Sequence, residues 1–542
     1  MKRNQIKIYL SSFLLAMGFV SCTDLEIEET DSIITVGFQG LENPTSALEE
    51  LYRDIRNQLS DQANTYALHE VTTDAQIIPT RGADWGDNGR WRKLHQHEWG
   101  LEETDVIGPF EAWNKNQLAA SQILDERSNS PEDVKLQARF LRAYAMWQIL
   151  DLYGQVPFRD SSLPSTELPV VYSGAEAVSF ILSDLDTCIS GLPTIGANAG
   201  DELVRPGKAA ARFLKARILL NRHIYENQLT GGGGTPAPAD MAEVITLVDQ
   251  ITADGFELQA GYFDIFKKTA DSETIWFTES SVQNMIYAPM HLNQYGLAGG
   301  GGWNGFSTLA EYYDLFEGDP ESNRVETDLT PLDGQEERRG GVPSEGLPFT
   351  SRPGTTNASG YEFGSNVGFG FLINQQYDLD GTKLEDRQGN DLAFTRQFVD
   401  GTGEVNLINN SERTGIRMIK YNPRFGETTL HKVQFRYADA YLMKAEAMLR
   451  SGGDPTEMVN ALRVIRNATP LGTVSESELL DERGRELFTE GIRRNDLIRF
   501  GQYLRAWEFK NDGEIGNEKR LLFPIPLPQL LANPNLVQNP GY

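Results

Sequence analysis

The sequence predicts a mainly α-helical protein in which helical hairpins form a scaffold around a long irregular insertion. Segments with helical periodicity dominate residues 41–254 and return in residues 433–542. Their short connections favour stacked hairpins, as in tetratricopeptide arrays, although no clean repeat of roughly 34 residues is present. In contrast, residues 255–432 are rich in Gly, Pro, Asn and Thr and contain only short apolar runs, which indicates loops with short strands.

The clearest predicted helix covers residues 131–153. Apolar residues recur there at spacings of three and four, and Trp147 lies in the apolar stripe. Ser130 is a suitable N-cap, Pro131 suits the first helical position, and Gly154 can end the helix. The other predicted helices cover residues 43–59, 175–192, 207–225, 241–253, 435–449 and 456–466.

A charged segment near the C-terminus is predicted to form one helix that begins after Ser475 and ends at Gly501. Ser475 and Glu478 have the spacing of a capping box. Opposite charges four residues apart, such as Glu490 and Arg494, would pair on one helix face. Taken alone, such interleaved charges are typical of a solvated, salt-bridged helix.

The charge balance excludes some classes of partner. The chain has 77 acidic and 49 basic residues and a formal net charge of −28. This argues against a nucleic acid, which needs a basic footprint, and against an anionic ligand held by charge alone. With only Cys22 and Cys188 and six histidines, neither a disulfide framework nor a cysteine-rich metal site is available. Cys188 lies in an apolar helix and is expected to be a core residue.

The first 21 residues have the three parts of a bacterial signal peptide. Three basic residues precede an apolar run over residues 8–20, which is too short to span a membrane. The run ends at Ser21-Cys22, which resembles a lipobox and implies a lipid attached to Cys22. An acidic tether over residues 22–40 follows. The alternative is an ordinary secretory signal with a chance cysteine.

Six segments, taken in order, resemble the SusD/RagB family, surface lipoproteins of Bacteroidetes that capture nutrients for an outer-membrane transporter. The resemblance covers nearly the whole chain after the signal peptide. Its parts are the lipobox, residues 72–99, residues 138–144 with 153–158, residues 435–446, residues 482–501 and the proline-rich ending.

The resemblance implies a tetratricopeptide-like scaffold that cradles an irregular ligand-binding half. It also implies a lipid anchor in the outer membrane of the cell, facing outward, and a SusC-like TonB-dependent transporter as the partner, over which family members sit as a lid. The typical cargo is an oligosaccharide, whereas the RagB branch handles peptides. The expected division is a signal peptide (residues 1–21), a tether (22–40), helical scaffold (41–254 and 433–542) and a ligand-binding insertion (255–432).

The first candidate site lies in residues 80–92, where Trp, Arg, Asp and Asn alternate with glycines without helical periodicity. This pattern predicts a loop. Sugars offer C–H faces to aromatic rings and hydroxyls to planar polar groups, and the family resemblance implies that loops after the first helix contribute to the glycan surface. The alternative is that both tryptophans pack the loop onto the scaffold or face the transporter. The candidate residues are Arg81, Asp84, Trp85, Asp87, Asn88 and Trp91.

The second candidate site lies in residues 287–304, in the insertion. Its glycine run formally contains G-x-G-x-x-G, but no strand precedes it in a βαβ unit, so a dinucleotide site is rejected. A flexible loop that presents Trp303 is favoured over a dinucleotide site, and the alternative to ligand contact is that Trp303 only packs. The candidate residues are Tyr287, Asn293, Tyr295, Trp303 and Asn304.

Other features are expected to be structural. Trp99, Trp113, Trp276 and Trp507 are expected to pack rather than to bind a ligand. His95 and His97 lack a third ligand in view, so surface histidines are favoured over a metal site. For calcium, no EF-hand spacing is present. The sequence motifs therefore predict no cofactor and no metal site, and binding of calcium by loop carboxylates is left open.

We therefore expect a non-catalytic cell-surface lipoprotein that captures oligosaccharides and delivers them to a SusC-like transporter. An enzyme is disfavoured because the sequence has no nucleophile elbow, metal motif or phosphate loop. A pure protein-binding scaffold would lack affinity for a free oligosaccharide. The remaining alternative is a RagB-like protein that captures peptides, against which the tryptophan-rich loop argues.

Overall fold

The computed structural model describes residues 37–164, 166–231, 233–267, 270–294, 301–326, 332–346, 366–378, 380–421 and 430–542. The signal peptide, Cys22, most of the tether and Tyr295 lie outside these described residues.

The helices of the described chain confirm the prediction of a mainly α-helical, tetratricopeptide-like fold. They are α1 (Pro44–Ser60), α2 (Asn64–Glu70), α3 (Arg90–Gln96), α4 (Thr104–Leu124), α5 (Glu132–Tyr153), α6 (Gly174–Gly191), α7 (Lys208–Tyr225), α8 (Pro238–Ala253), α9 (Gln283–Tyr287), α10 (Ala310–Tyr313), α11 (Tyr437–Arg450), α12 (Thr456–Ile465), α13 (Glu476–Leu487), α14 (Arg493–Arg499) and α15 (Leu527–Ala532).

The scaffold is built by neighbouring helices that pack in chain order. Each helix from α4 to α7 packs on the next one, and α8 then packs on α11, which returns after the long insertion. α11 in turn packs on α12 and α13. Such stacking buries the apolar stripe of each helix against its neighbours, which a single hairpin could not do. None of the described helices is both long enough and apolar enough to cross a membrane.

Short antiparallel ribbons complete the fold, and each sheet found in the described residues has two strands. The ribbon of β3 (Thr274–Thr278) and β8 (Lys432–Arg436) is a scaffold element, because Trp276 of β3 is fully buried against Phe140 and Tyr144 of α5. The expectation that Trp276 is structural is confirmed. The pairs are β1 (Gln155–Phe158) with β2 (Val170–Ser173), β3 (Thr274–Thr278) with β8 (Lys432–Arg436), β4 (Gly370–Leu372) with β7 (Arg417–Ile419), and β5 (Asn374–Gln375) with β6 (Ala393–Phe394).

Helix α5 is buried on almost every side, and Trp147 is in the core as predicted. Its indole Nε1 donates to the Tyr225 hydroxyl at 2.9 Å. The predicted start is wrong by one residue, because Pro131 is the N-cap. Ser130 does not cap the helix, since its hydroxyl donates to the carbonyl of Ile123 at 2.5 Å. Gly154 ends α5 with a φ of +73°, as expected.

The prediction of one helix from Ser475 to Gly501 is wrong, although its capping box is present. α13 ends at Leu487, and Thr489 and Gly491 then take left-handed conformations before α14 begins. The break directs the Glu490 carboxylate to Lys420 and Arg436, each with an ion-pair distance of 2.6–2.7 Å. The expected pair of Glu490 with Arg494 is therefore not the one formed.

The expectation of a solvated face on this segment is also wrong, because its charges are buried. The Glu486 carboxylate accepts from Arg436 at 2.7 Å, from Arg466 at 2.9 Å and from Arg338 at 3.1 Å. Burial alone would raise the pKa of Glu486, but these three guanidiniums hold it well below its usual range. We call this group the buried charge network; its members are Glu273, Glu336, Glu482, Glu486, Arg338, Arg436, Arg463 and Arg466.

Acid is expected to weaken the folded state below about pH 4.5. Burial alone would raise the pKa of Glu446 and Glu482, but arginines overcome this effect and lower both values to about 2. A lowered carboxyl pKa contributes stability that is present above the unfolded value and is lost as the pH falls through the folded value. The free energy of unfolding should therefore fall between pH 4.5 and pH 2, on the order of a few kcal/mol.

Urea titrations at several pH values, made with protein that starts at Thr23, would measure this fall in the free energy of unfolding. Glu70 acts in the opposite direction, since burial raises its pKa to about 7, so the comparison should stay below pH 4.5. A free energy of unfolding that stays constant between pH 4.5 and pH 3 would contradict the prediction.

The expected surface histidines are in fact buried. The two ring nitrogens of His95 lie 3.0 Å from the carbonyl oxygen of Gln76 and 2.9 Å from that of Glu508. His97 Nε2 lies 2.9 Å from the carbonyl oxygen of Thr72. Both histidines therefore join α3 to neighbouring segments. Within the part of the chain that the structure describes, no group of three His, Cys, Asp or Glu side chains could hold a metal ion.

Candidate ligand-binding surface

The structure brings the two predicted segments together. The indole Nε1 of Trp85, from the first segment, donates to the carbonyl oxygen of Trp303, from the second, at 2.7 Å. Close by, the backbones of Ile77 and Ser307 exchange two hydrogen bonds of 2.9 Å. Residues more than 200 positions apart in the sequence therefore form one surface.

The first segment makes a tight turn. The backbones of Arg81 and Asp84 exchange hydrogen bonds of 3.0 and 2.9 Å. Trp85, Asp87 and Asn88 follow with φ values of +59°, +37° and +54°. Left-handed conformations at non-glycine residues cost on the order of 1 kcal/mol or more each, and such conformations are concentrated at functional sites. The turn is thus a strained element that surrounding contacts hold in place.

The predicted loop is wrong in its second half, because helix α3 begins at Arg90. Trp91 lies in α3 with only 3 % of its surface exposed, so its ring has no free face for a ligand. It packs edge-on against Trp85 and Phe306, with ring centroids 5.7 and 5.6 Å away. Its Nε1 donates to the Asp87 carboxylate at 2.7 Å. Trp91 therefore supports the surface from below.

Arg81 is also buried, in contrast to its prediction as a ligand contact. Its guanidinium donates to the Ser411 carbonyl at 2.7 Å, to the hydroxyl and carbonyl of Thr414 at 2.8 Å, and to the Ser307 hydroxyl at 3.0 Å. Burial lowers the pKa of Arg81 to about 9. Arg81 thus fastens the turn to residues 411–414 rather than reaching outward.

Arg417 is a second buried guanidinium, and the sequence analysis did not single it out. It donates to the Ser307 hydroxyl at 2.5 Å and to the Asn304 side-chain oxygen at 2.8 Å. Burial, followed by the neighbouring charge of Arg81, lowers the pKa of Arg417 well below its usual range. Asn304 is consequently a buried support, not the exposed contact that was predicted. An arginine at the start of a short apolar run carried no signal that could have assigned this role.

Among the side chains of the two segments that remain accessible to solvent are aromatic rings, on which a flat ligand can stack. Trp303 exposes 48 % of its surface, and the half-buried Tyr287 lies beside it with ring centroids 6.5 Å apart. Trp85 is half-buried and packs against the core. We call the following residues the aromatic surface: Asp84, Trp85, Asp87, Asn88, Tyr287, Asn293 and Trp303.

Polar side chains come from the same two segments as the rings of the aromatic surface. Asp84, Asp87, Asn88 and Asn293 are exposed. The side-chain nitrogen of Asn293 donates to the carbonyl oxygen of Glu385 at 2.8 Å. The side-chain oxygen of Asn293 takes no part in this hydrogen bond. Carboxylates and amides next to aromatic rings can accept and donate hydrogen bonds while an apolar ligand face stacks on the rings.

Replacing Gly305 by alanine is expected to disturb the aromatic surface. A Cβ at this position would overlap the indole of Trp85. Displacing a packed ring costs about 1–3 kcal/mol, so both the free energy of unfolding and the affinity for a ligand should fall. Gly86→Ala is the matched control in the same region, because its Cβ would approach no atom closer than 3.9 Å. Equal unfolding free energies for the two variants would contradict this packing.

A separate cavity of about 220 Å³ lies in the scaffold. Side chains of α7 and α14 line it, including Asn221, Tyr225 and Ile498. None of its lining residues belongs to the aromatic surface. This cavity is therefore distinct from the aromatic surface.

Comparison with known proteins assigns this chain to a protein family. The model of the SusD family matches residues 272–542, which is half of the chain and includes Tyr287, Trp303 and helices α13 and α14. The chain belongs to the SusD family. The family match extends from β3 to the last residue and does not include residues 80–92.

Relatives of this SusD-family protein align over most of its length. It is 27 % identical to the starch-binding protein SusD of Bacteroides thetaiotaomicron over an alignment of 455 positions, which covers 75 % of this chain and 72 % of that protein. The surface glycan-binding protein A of Bacteroides uniformis has a TM-score of 0.64 at 18 % identity, covering 92 % and 99 % of the two chains. A laminarin-binding SusD-like protein has a TM-score of 0.60 at 17 % identity, covering 93 % and 100 %. At such identities the solved structures establish a shared fold.

Proposed function

We propose that this SusD-family protein is a non-catalytic lipoprotein that captures oligosaccharides at the cell surface. The observation that carries the proposal is the exposed ring of Trp303, which lies beside Tyr287 and is held by Trp85. Rings in this arrangement offer flat apolar area to the C–H faces of sugars. The names of relatives, a starch-binding and a laminarin-binding protein, support the same class of ligand.

The polar residues of the aromatic surface supply the second part of the argument. Asp84, Asn88 and Asn293 are exposed in the same two segments as the rings and can bond the hydroxyls of a sugar. The support beneath is rigid, since Arg81 and Arg417 both bond Ser307 and Thr414. A preformed support reduces the ordering cost of binding, which matters for an open surface with a small contact area.

The anchor and the partner belong to the same proposal. A lipid on Cys22 would hold the protein to the outer membrane of the cell, and the tether would leave the aromatic surface outside. The captured oligosaccharide would then pass to a SusC-like TonB-dependent transporter. Membership of a family that binds rather than converts its ligands supports a role without catalysis.

Calorimetric titration tests the proposal directly. Soluble protein that starts at Thr23 would be titrated with neutral polysaccharides and their oligomers, and with a pool of peptides as the control. We expect heat of binding from one class of glycan and none from the peptides. Heat from peptides alone would replace the proposal by a RagB-like peptide-capturing protein, and turnover of a bound glycan would make the protein an enzyme.

A further inference from the structure

This SusD-family protein also has a surface pocket of about 510 Å³ between the first half of α13 and the segment that follows α14. Its volume is in the usual range for small-ligand sites, about 300–1,000 Å³. None of its described lining residues belongs to the aromatic surface or lines the 220 Å³ cavity. We call it the polar pocket; its main side chains are Ser477, Asp481, Arg493, Phe500, Gln502 and Arg505.

A shared carboxylate holds the arginines of the polar pocket in place. Arg493 donates to the two oxygens of Asp74 at 2.8 and 2.7 Å, and Arg505 donates to one of them at 2.6 Å. Burial alone would raise the pKa of Asp74, but the two arginines lower it below its usual value. Arg505 donates once more, to the Ala506 carbonyl at 2.8 Å. Because a guanidinium has five N–H groups, Arg505 keeps donors that a ligand can use.

Asp481 brings an unpaired carboxylate to the polar pocket. Arg485, one helical turn away, bonds Glu482 instead, at 2.6 and 2.9 Å. No residue in the described part of the chain donates a hydrogen bond to the Asp481 carboxylate, although the side chain is half-buried and burial raises its pKa. A carboxylate that loses hydration without gaining a hydrogen bond costs free energy, and such groups are concentrated at binding sites.

The lining of the polar pocket fits an uncharged ligand that carries several hydroxyls. A hydroxyl can donate to Asp481 and accept from Arg505, whereas Ser477 and Gln502, which are exposed at the rim, can both donate and accept. An anion would meet the carboxylates of Glu476 and Asp481, and a cation would meet the guanidinium of Arg505, so neither sign of charge is favoured. These are the hydrogen-bonding properties that a neutral sugar residue needs.

The polar pocket should bind a sugar more weakly than the aromatic surface does. Phe500 is the one aromatic side chain among its described lining residues, and it is half-buried. The guanidiniums of Arg450 and Arg499 already lie over this ring, at 5.0 and 5.4 Å from its centroid. Little ring area is therefore left for stacking, whereas Trp303 exposes 48 % of its surface. A short oligosaccharide should accordingly bind mainly at the aromatic surface.

The segment after α2 joins the polar pocket to the aromatic surface. Asp74 contacts the arginines of the pocket, and the next residue, Ala75, accepts from the Thr308 hydroxyl at 2.7 Å through its carbonyl oxygen. Trp85 follows Asp74 by eleven positions, so the chain between them can span at most about 40 Å. A polysaccharide longer than this distance can reach both sites, and its second contact then forms at a high effective concentration.

We propose that the polar pocket is a second saccharide site, which binds a further part of the polysaccharide that the aromatic surface holds. This inference rests on the proposed function, which supplies a glycan as the ligand. Asp481 and Arg505 bond sugar hydroxyls inside the pocket, and Ser477 and Gln502 bond them at the rim. Two sites on one protein increase the avidity for a polymer without changing the affinity for a short oligomer.

Comparing polymers with short oligomers tests the second site. The probes are the neutral polysaccharides of the calorimetric panel, starch and laminarin among them, each with its own trisaccharide. In protein that starts at Thr23, Asp481→Ala with Gln502→Ala should weaken polysaccharide binding about tenfold, while the affinity for the trisaccharide should not change. Glu457→Ala with Gln250→Ala is the matched control, because both residues are exposed on scaffold helices outside the pocket. This control should bind both probes as the unmodified protein does.

Hydrogen exchange followed by mass spectrometry supplies a second readout. Saturating polysaccharide should slow exchange in residues 476–481 and 500–505 of the unmodified protein, and the trisaccharide should not. The variant with both substitutions in the pocket should lose this protection and keep the protection of the aromatic surface. Unchanged exchange in these two segments, or equal polysaccharide affinity of the variant and the unmodified protein, would overturn the second site.

The two proposals fail in different ways. If the trisaccharide binds and Trp303→Ala weakens it, but the pocket variant holds the polymer as tightly as before, only the second site is wrong. If the pocket variant loses affinity for polymer and trisaccharide equally, the substitutions act through the fold, and the second site is again wrong. If the unmodified protein binds no glycan of the panel, the proposed function is wrong too.

Discussion

Replacing Trp303 by alanine should weaken glycan binding by the soluble protein about 30-fold or more. Trp303 is the most exposed ring of the aromatic surface, and the alanine variant would lose the area on which a sugar face stacks. Its backbone contacts with Tyr287 and Trp85 do not involve the indole, so the surrounding structure should persist. The thermal unfolding midpoint should therefore stay nearly unchanged while the calorimetric affinity falls.

Two further variants separate stacking from structural damage. Trp303→Phe keeps a ring face and should recover much of the lost affinity. Trp91→Ala removes a buried ring and should instead lower the free energy of unfolding by about 3–5 kcal/mol. If Trp303→Ala binds the same glycan as tightly as the unmodified protein, the ligand lies elsewhere, and the scaffold cavity beside Asn221 and Tyr225 becomes the next candidate.

Replacing Glu486 by glutamine should destabilise the protein by about 3–5 kcal/mol. The carboxylate is fully buried and bonds Arg338, Arg436 and Arg466 at once. Glutamine would keep much of the shape of the glutamate side chain but would remove its negative charge. The three buried guanidiniums would then lose one of the carboxylates that neutralise them. A buried ion pair adds little net stability, yet removing one partner of it is costly.

Urea unfolding of the soluble protein measures this effect. Glu476→Gln is the matched control, because Glu476 is exposed in the first turn of the same helix and should change the free energy of unfolding by less than about 1 kcal/mol. The loss should also loosen the insertion, since Arg338 and Glu273 belong to it, and limited proteolysis should show earlier cleavage there. Similar stabilities for the two variants would refute the role of the network.

Local patterns predicted several elements correctly. The 3-4 spacing in residues 131–153 corresponds to α5, which also has the expected stop at Gly154. The spacing of Ser475 and Glu478 corresponds to a complete capping box. Cys188 is buried in its helix as expected. These features depend on neighbours within a few residues, so the sequence contains all the information that they need.

Elements whose buried faces include polar or charged residues were harder to predict. α4 spans 21 residues but was not predicted, because its buried face includes the polar residues Asp105, Asn116, Gln117 and Ser121, and Pro109 interrupts its pattern. The charges of the C-terminal segment suggested a solvated helix, yet residues distant in the sequence supply their partners. Arg436 and Glu486, for example, are 50 positions apart. Spacing along one helix contains no information about such partners.

The sequence by itself determined the mainly helical fold, the family, and the two segments that supply the aromatic surface. Only the tertiary structure decided which aromatic ring faces solvent. Trp91 and Trp303 are equivalent as residues, but α3 turns Trp91 into the core while the bond from Trp85 holds the backbone of Trp303 at the surface. Exposure depends on contacts between segments more than 200 residues apart, and local propensity does not encode such contacts.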